Sequence, residues 1–516
     1  MGESNKKKGV IAIAIAAVLI VGGSVAAFML TNTTPKQSYF LAEKNTIDYL
    51  GEQFSERYGA EMEWNDESYE NPAEQALELS AEYNGPTETE GFATVDPAQI
   101  INNSSISLTA QTDMENKQIA SELALNFAGL ELEGLSAYIT DEKIMVGLPF
   151  IEEYLQIMDE DFGPLLNEID PITFTGEESL ELDTLFEGTN IMSEEDSEYL
   201  QTEYVEFIYH ELPDEAFETS NETIDIQGQT LDTEKIDFQL TEQQVKDLLS
   251  TVFEKMENDD RLKEILHDQF AAGQIGGPAL DADLDQMMLE FEDALAEAKE
   301  GIQDFQIPEG LTSTIWVYRD LIVQRDLFIE LGSHEDDLVS FGMKGTQLLE
   351  DAAQQFNYNL DFADTYSSGS MTLTGNLSWE EDQVTDSINL TFGEYNLSYD
   401  GTESLQDGTR DFNRVFSYSD SMTEGNLVWD GSSTFNHDQM NAEHRFSVET
   451  SDLGNLLSLQ LVVDGKIIDT VEMPAEELVK DLGSMDSTEL MNYFEMELTP
   501  SFQQWLFGIM AGGTGF

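Results

Sequence analysis

The sequence contains no cysteine among its 516 residues. A chain without cysteine forms no disulfide and offers no thiol nucleophile, and it cannot carry the lipid-modified cysteine of a bacterial lipoprotein. Small exported domains that depend on disulfides for stability are therefore excluded.

Basic residues are scarce, with 22 Lys and Arg against 104 Asp and Glu and a formal charge of −82. This charge repels nucleic acid and anionic lipid headgroups, so we expect no binding to DNA or RNA. The acids accompany 40% hydrophobic and 10% aromatic residues, a content that excludes a disordered acidic tail. The composition instead indicates a folded surface adapted to a salty or alkaline habitat, where cations screen the repulsion. Specific calcium sites are the alternative, and the two can coexist.

Histidine is also rare, and no catalytic motif accompanies it. No histidine has a second histidine three to five residues away, and the chain has neither a GxSxG nucleophile elbow nor a phosphate-binding loop. The carboxylates are too numerous for any pair to stand out as a catalytic acid and base. We therefore expect that the protein is not an enzyme. The five histidines are His210, His267, His334, His437 and His444.

One acidic cluster has the spacing of an EF-hand calcium loop. Asp281, Asp283 and Asp285 occupy positions 1, 3 and 5, and Glu292 occupies position 12. Position 6, which requires glycine for the sharp turn, is Gln286. The competing interpretation is a helix whose first turn is acidic because the helix dipole favours negative charge there. The four acids are the candidate metal ligands, and calcium is the one candidate cofactor.

The longest uncharged run, residues 9–30, follows three lysines at positions 6–8. As a helix it would be about 33 Å long, enough to cross a hydrocarbon core of about 30 Å. It predicts a transmembrane anchor with the lysines in the cytoplasm and the rest of the chain outside the cell. A signal peptide cleaved near Ser24-Val25-Ala26 is the alternative.

Periodicity beyond the anchor predicts helices and antiparallel strands. Apolar residues recur at helical spacing over residues 36–58, and Leu77 to Asn84 alternate as in a half-buried strand. Thr241 and Gln244 form a capping box before a further helix. Asp464-Gly465 predicts a tight turn between two late strands.

The predicted fold class is α+β, with an N-terminal transmembrane helix followed by curved antiparallel sheets packed on helices in two similar halves. The sequence QIPEG at 306–310 marks the boundary between them. The predicted domains are a cytoplasmic stub at 1–8, the anchor at 9–30, an α+β domain at 31–305, and a strand-rich domain with C-terminal helices at 306–516.

Four stretches carry a resemblance to a known family. TPKQSYFLAEKNTIDYL (34–50) resembles the start of an uncharacterised family of membrane-anchored proteins from Bacillus-like bacteria, a domain of unknown function. Residues 146–157, 240–266 and 315–331 are similar to it as well. The strand-turn-strand at 315–331 also looks, more distantly, like the half-barrel fold of lipoprotein carriers. The resemblance implies a fold and an apolar ligand, and it transfers no functional residue.

The sequence therefore predicts a single-pass protein of the cell membrane, with residues 9–30 in the membrane and most of the chain outside the cell. Its expected function is non-enzymatic binding of a lipid or other apolar molecule in a curved sheet. The alternative is an acidic, cation-dependent structural or interaction module of the cell envelope.

Overall fold

The computed structural model describes most of the chain after residue 33. The predicted anchor at residues 9–30 lies outside the described residues. Within them, no helix combines the length and the apolar character that crossing a membrane requires. The described residues are 34–85, 97–169, 172–180, 182–186, 193–272, 281–380, 382–450 and 457–510.

Ten α-helices lie in the described ranges, and the first of them is kinked at Tyr58. Short 3₁₀-helices occur at Leu182–Phe186, Asp214–Ala216 and Glu476–Leu478, and π-helices at Gln201–Val205 and Phe494–Leu498. The α-helices are α1 (Pro35–Glu70), α2 (Pro97–Ile101), α3 (Asp159–Ile169), α4 (Glu194–Leu200), α5 (Glu206–Glu211), α6 (Glu242–Glu257), α7 (Asp260–Ala272), α8 (Asp281–Gly301), α9 (Ser487–Tyr493) and α10 (Thr499–Met510).

Twenty β-strands lie in the same ranges and belong to one sheet. Neighbouring strands are antiparallel in every pairing described here except that of β6 with β20, which is parallel. The strands are β1 (Ala73–Tyr83), β2 (Ser105–Asp113), β3 (Gln118–Phe127), β4 (Leu130–Thr140), β5 (Lys143–Gly147), β6 (Tyr154–Met158), β7 (Phe217–Ile226), β8 (Gln229–Leu240), β9 (Leu311–Tyr318), β10 (Leu321–Gly332), β11 (Leu338–Glu350), β12 (Ala353–Ala363), β13 (Ser368–Glu380), β14 (Gln383–Phe392), β15 (Tyr395–Gln406), β16 (Thr409–Ser419), β17 (Glu424–Asn436), β18 (Gln439–Thr450), β19 (Leu457–Ile467) and β20 (Val479–Asp481).

The single sheet corrects the predicted fold class, because two similar halves with separate sheets do not occur in the described residues. The predicted N-terminal transmembrane helix is not among the described helices either. The physical reason is that alternation along one strand marks its two faces without naming its neighbours. Strand β1 pairs on one side with β2 and on the other with β19, from near the far end of the chain.

The chain divides into two compact units. The first comprises residues up to 57, 190–400 and 418–423, and the second comprises 58–189, 401–417 and 424–516. In the first unit, strands β7 to β14 pair in chain order. Its core joins the N-terminal part of α1 to α6 and to strands β7 to β10.

The core of the first unit is rich in aromatic rings and begins at α1. Tyr39 is buried and makes edge contacts with Phe40 and Phe217, and Phe217 stacks on Phe238 at 4.5 Å. The capping box predicted at Thr241 and Gln244 is confirmed at the start of α6. Six residues of that helix are buried, so its apolar side packs into the same core.

In the second unit the strand order is β17, β18, β19, β1, β2, β3, β4, β5, β6 and β20. Its C-terminal helices pack on a small core near β6 and α3. That core is formed by Leu165, Leu482, Leu490 and Tyr493.

Candidate functional site

The sheet of the second unit separates apolar from acidic side chains. Leu77 and Leu79 of β1 lie on one face, whereas Glu78 and Glu82 lie on the other, because successive side chains of a strand alternate. Residues directly opposite in an antiparallel pair share a face. Leu79 is opposite Leu461 of β19 and Ile106 of β2, so the apolar face continues across these strands.

Helix α1 covers one end of this apolar face. Trp64 of α1 is 4% exposed and lies over Gly465 of β19. A Cβ at position 465 would be 2.5 Å from Cζ2 of the Trp64 ring, so only glycine permits this contact. Ala73, Ala442 and Val463 are buried at the same end.

At the other end of the face, the described residues leave large apolar side chains partly exposed. Eight large apolar side chains on seven neighbouring strands, β17 to β4, are between 37% and 58% exposed there. These eight side chains are all uncharged, although 104 of the 516 residues of the chain are acidic. Contiguous exposed apolar surface of this kind marks an interaction site. We call it the apolar strand-end surface; it consists of Leu79, Ile106, Phe127, Leu130, Leu427, Val448, Leu457 and Leu459.

A buried ionic cluster lies on the strands that adjoin this surface in the second unit. The Glu403 side chain is 1% exposed and accepts hydrogen bonds from Arg410 Nη1 at 2.8 Å and Arg414 Nη2 at 2.7 Å. Arg410 also donates through Nε to Glu61 of α1 at 2.7 Å. One glutamate thus holds two arginines, and one of these arginines ties the helix to the sheet.

Aromatic rings surround the outer arginine of the cluster. The Arg414 guanidinium lies 4.5 Å from the ring centroids of both Phe412 and Trp429. Trp429 donates through Nε1 to Nδ1 of His444 at 3.2 Å, which requires that nitrogen to be unprotonated. Burial and then the charge of Arg414 lower the pKa of His444, so the imidazole is neutral at pH 7.

The first unit contains a second buried ion pair between α1 and the sheet. Arg325 of β10 donates to Glu43 of α1, and the two side chains are 12% and 4% exposed. The Tyr39 hydroxyl and Ser313 Oγ are hydrogen-bonded at 2.7 Å one helical turn away. Burial alone would lower the pKa of Arg325, but the Glu43 carboxylate raises it above its ordinary value. Burial, and then Glu43, raise the pKa of Tyr39.

A third polar group lies in an open cleft of the first unit, beside the π-helix Gln201–Val205. Tyr199 and Tyr204 donate their hydroxyls to the two carboxylate oxygens of Asp259, at 2.7 and 2.6 Å. The backbone N–H of Leu262 also donates to Asp259, which therefore caps α7. Burial and then the bond to Asp259 raise the pKa of Tyr199 to about 12.

This arrangement predicts a pH dependence of stability. Burial acts to raise the pKa of Asp259, but the bonds from Tyr204, Leu262 and Tyr199 together lower it below its ordinary value. As the pH falls, the Asp259 carboxyl therefore takes up a proton at a higher pH in the unfolded chain than in the folded protein. Asp259 thus stabilises the fold fully above its unfolded pKa of about 4. This contribution is lost as pH falls from about 4 through the lower folded pKa.

Urea denaturation at several pH values tests the role of Asp259. The stability difference between the unmodified protein and Asp259→Asn should be largest near pH 7 and shrink below about pH 4. In a Tyr199→Phe, Tyr204→Phe background the difference should be smaller at pH 7, because two donors are gone. A difference that stays constant from pH 7 to pH 3 would show that the carboxylate charge is irrelevant.

The candidate calcium ligands are not assembled into a described site. Asp281, Asp283 and Asp285 fall at the start of α8, and their side chains lie outside the described residues. Glu292 is paired with Lys263 at 2.9 Å. The part of the chain that the structure describes contains no cluster of three or more potential metal ligands. The calcium site stays a prediction.

No protein-family model and no curated protein matches this chain. Among solved structures it matches Pseudomonas aeruginosa OccK3 (OpdO) at 6% identity and a TM-score of 0.25, over 77% of this chain and 95% of that one. It matches Acinetobacter baumannii OccAB2 at 4% identity and a TM-score of 0.24, over 77% of this chain and 97% of that one. A loop-deletion mutant of OmpT, an outer membrane protein of Vibrio cholerae, matches at 5% identity and a TM-score of 0.20. The match covers 77% of this chain and 97% of that one. Likenesses this weak carry no argument.

These comparisons correct the resemblance inferred from residues 34–50, 146–157, 240–266 and 315–331. No family model places the chain in an uncharacterised anchored family. The function inferred with it, binding of a lipid or other apolar ligand in a curved sheet or an acidic, cation-dependent structural or interaction module of the envelope, is wrong as well. The predicted single-pass location in the cell membrane is corrected as well, since no described helix is long and apolar enough to cross a membrane.

Proposed function

We propose that this chain associates with a membrane through the apolar strand-end surface of the second unit. The observation that supports the proposal is the uncharged row of exposed side chains from β17 to β4. Water is an unfavourable solvent for such a row, and the low-dielectric interior of a bilayer is a favourable one.

The energetics favour a membrane of neutral lipid. Burial of a half-exposed Leu, Ile, Val or Phe contributes about 0.5–1 kcal/mol, so eight such side chains would supply roughly 4–8 kcal/mol. The formal charge of −82 opposes approach to anionic headgroups. A zwitterionic bilayer lacks that repulsion, and high salt would weaken what remains.

We also propose that the protein is not an enzyme. In the described residues, several buried charged groups are held in ion pairs, such as Arg414 with Glu403 and Arg57 with Asp386. An active site needs groups left free to act on a substrate. Assay of the purified protein against panels of esters, glycosides and peptides should give no turnover above the rate without protein.

A single fluorescent label tests the membrane contact directly. Because the chain has no cysteine, Val448→Cys gives one site for an environment-sensitive fluorophore. Val448 is 55% exposed on the apolar face of β18. Addition of neutral phosphatidylcholine vesicles should shift its emission to the blue, and brominated lipid should quench it.

Glu449→Cys is the matched control. Glu449 follows Val448 in the chain, and its side chain is exposed on the opposite, polar face of the same strand. Residues 9–30 are common to both variants, so any attraction of that apolar run to lipid affects both equally. We expect a response at position 448 and little at 449. Equal responses, or none at 448, would refute contact through this surface.

A further inference from the structure

The sheet of the first unit carries an open polar depression across β10, β11 and β12. Its volume is about 270 Å³, slightly below the range of about 300–1,000 Å³ that is typical of ligand pockets. Arg325 and Gly345 border it, but the Arg325 side chain is turned to Glu43 beneath α1. The six side chains on the open face are all polar; they are Gln324, Asp326, Lys344, Thr346, Asn357 and Asn359.

These six side chains form two rows across the three strands. In the first row, Gln324 of β10 is opposite Thr346 of β11, which is opposite Asn357 of β12. The second row, two residues away along each strand, consists of Asp326, Lys344 and Asn359. Opposite residues share a face, and so do residues two apart. All six side chains therefore lie together on a patch roughly 10 Å wide, the span of three strands.

The two rows differ in how their polar groups are engaged. In the second row, Lys344 Nζ is 3.0 Å from Asp326 Oδ2, and Asn359 Oδ1 accepts a hydrogen bond from Thr372 of β13 at 2.8 Å. The three side chains of the first row form no hydrogen bond with any other described residue. The first row therefore presents an amide, a hydroxyl and a second amide beside a paired acid and base.

The composition of the depression is unusual for a strand and for this chain. Asparagine is depleted in β-strands, yet Asn357 and Asn359 stand two residues apart in the middle of β12. Asp326 is the one acid among the six side chains, in a sequence with 104 acids. Departures from local preference of this kind are expected at functional sites.

We propose that this depression binds a neutral sugar through one hexose unit. Amide and hydroxyl side chains both donate and accept hydrogen bonds, so the first row suits a ligand whose own groups do both, as sugar hydroxyls do. The polar lining offers no apolar side chain to a lipid. Its charged residues are each paired, Arg325 with Glu43 and Lys344 with Asp326, so no net charge attracts an ion. The proposal is independent of the membrane contact, which concerns the second unit.

Saturation-transfer difference NMR on the full chain tests the proposal, with glucose, galactose, mannose and maltotriose as separate probes. The unmodified protein should transfer saturation to the ring protons of at least one of them. Asn357→Ala should weaken that affinity by about tenfold, because the hydrogen bonds of one amide are lost. Thr346→Val, which nearly keeps the shape of the side chain, should weaken it as well.

Asn376→Ala is the matched control. Asn376 is an exposed asparagine of β13 on the same face, opposite Gln355 and outside the depression, so its removal should leave the affinity unchanged. Urea denaturation shows whether each variant remains folded.

Tighter binding of maltotriose than of any hexose would support the proposal and identify a glycan chain as the ligand, whereas equal binding would identify the free sugar. No transfer to any of the four probes would overturn the proposal. Equal losses in Asn357→Ala and Asn376→Ala would also overturn it. Binding of glucosamine, which is positively charged at slightly acidic pH, without binding of the neutral probes would overturn it too, because attraction to surface acids would then explain the contact.

Discussion

Replacement of Arg325 by methionine should lower the free energy of unfolding of the first unit by about 3–5 kcal/mol. The substitution leaves the Glu43 carboxylate, which is 4% exposed, without its guanidinium partner in the low-dielectric space beneath α1. A buried charge that has lost its partner costs several kcal/mol, because water cannot replace the missing contact. Urea denaturation followed through Trp316, on neighbouring β9, reports this unit.

Two matched variants separate the charge effect from simple loss of packing. The double variant Glu43→Leu, Arg325→Met removes both charges and should recover most of the lost stability. Lys344→Met breaks the pair with Asp326 on the same strands, where the lysine side chain is 63% exposed, and should change stability by less than about 1 kcal/mol. If Arg325→Met lowers the free energy of unfolding no more than Lys344→Met does, the pair of Arg325 with Glu43 does not hold α1 to the sheet.

Local elements of this fold could be predicted from sequence because their signals are local. Leu77 and Glu78 begin an alternation that the structure places in β1, and Thr241 and Gln244 form the capping box of α6. The pairing of β1 with β19 could not be predicted, because no local pattern records which distant strand lies alongside.

The turn predicted at Asp464-Gly465 is wrong. Strand β19 continues through both residues to Ile467. The glycine is explained by its approach to Trp64, which leaves no room for a side chain. A glycine after an aspartate is ambiguous in sequence, since close packing and a tight turn both select it.

The buried ion pairs could not be predicted from the acids, which are too common in this chain to be informative. The seven arginines carry more information. Arg410, Phe412 and Arg414 lie on one face of β16, because side chains two residues apart share a face, and this places two arginines together on that face. Glu61, the α1 partner of Arg410, is far away in the chain, and no spacing in the sequence connects the two segments.

The apolar strand-end surface was also beyond sequence reasoning. Leu77 and Leu79 have the same side-chain type and lie on the same face of β1, yet α1 covers the face only toward the beginning of that strand. Alternation assigns both to an interior. Only the position of the helix decides which of them meets solvent or lipid.

Replacement of Glu403 by glutamine should lower the free energy of unfolding of the second unit by about 3–5 kcal/mol. The carboxylate accepts hydrogen bonds from Arg410 and from two nitrogens of Arg414, and it is nearly inaccessible to water. Glutamine keeps the shape but removes the negative charge, so two neighbouring guanidinium groups are left with Glu61 as the remaining carboxylate of the cluster. The rings of Phe412 and Trp429 stabilise Arg414 only partly, at about 0.5–2 kcal/mol for each cation–π contact.

Trp429 supplies the measurement, since its ring lies against Arg414 and its fluorescence should follow unfolding of this cluster. Asp411→Asn is the control, because it removes one acid from β16, the strand of Arg410 and Arg414, at an exposed position on the face opposite to theirs. It should change stability little, or raise it slightly at low salt, by reducing repulsion among surface acids. Added salt should reduce the change in the free energy of unfolding caused by Asp411→Asn. It should leave the change caused by Glu403→Gln nearly the same, because ions screen exposed charges far better than buried ones. If both variants respond to salt alike, the Glu403 cluster is open to solvent and cannot fasten α1 to the apolar face.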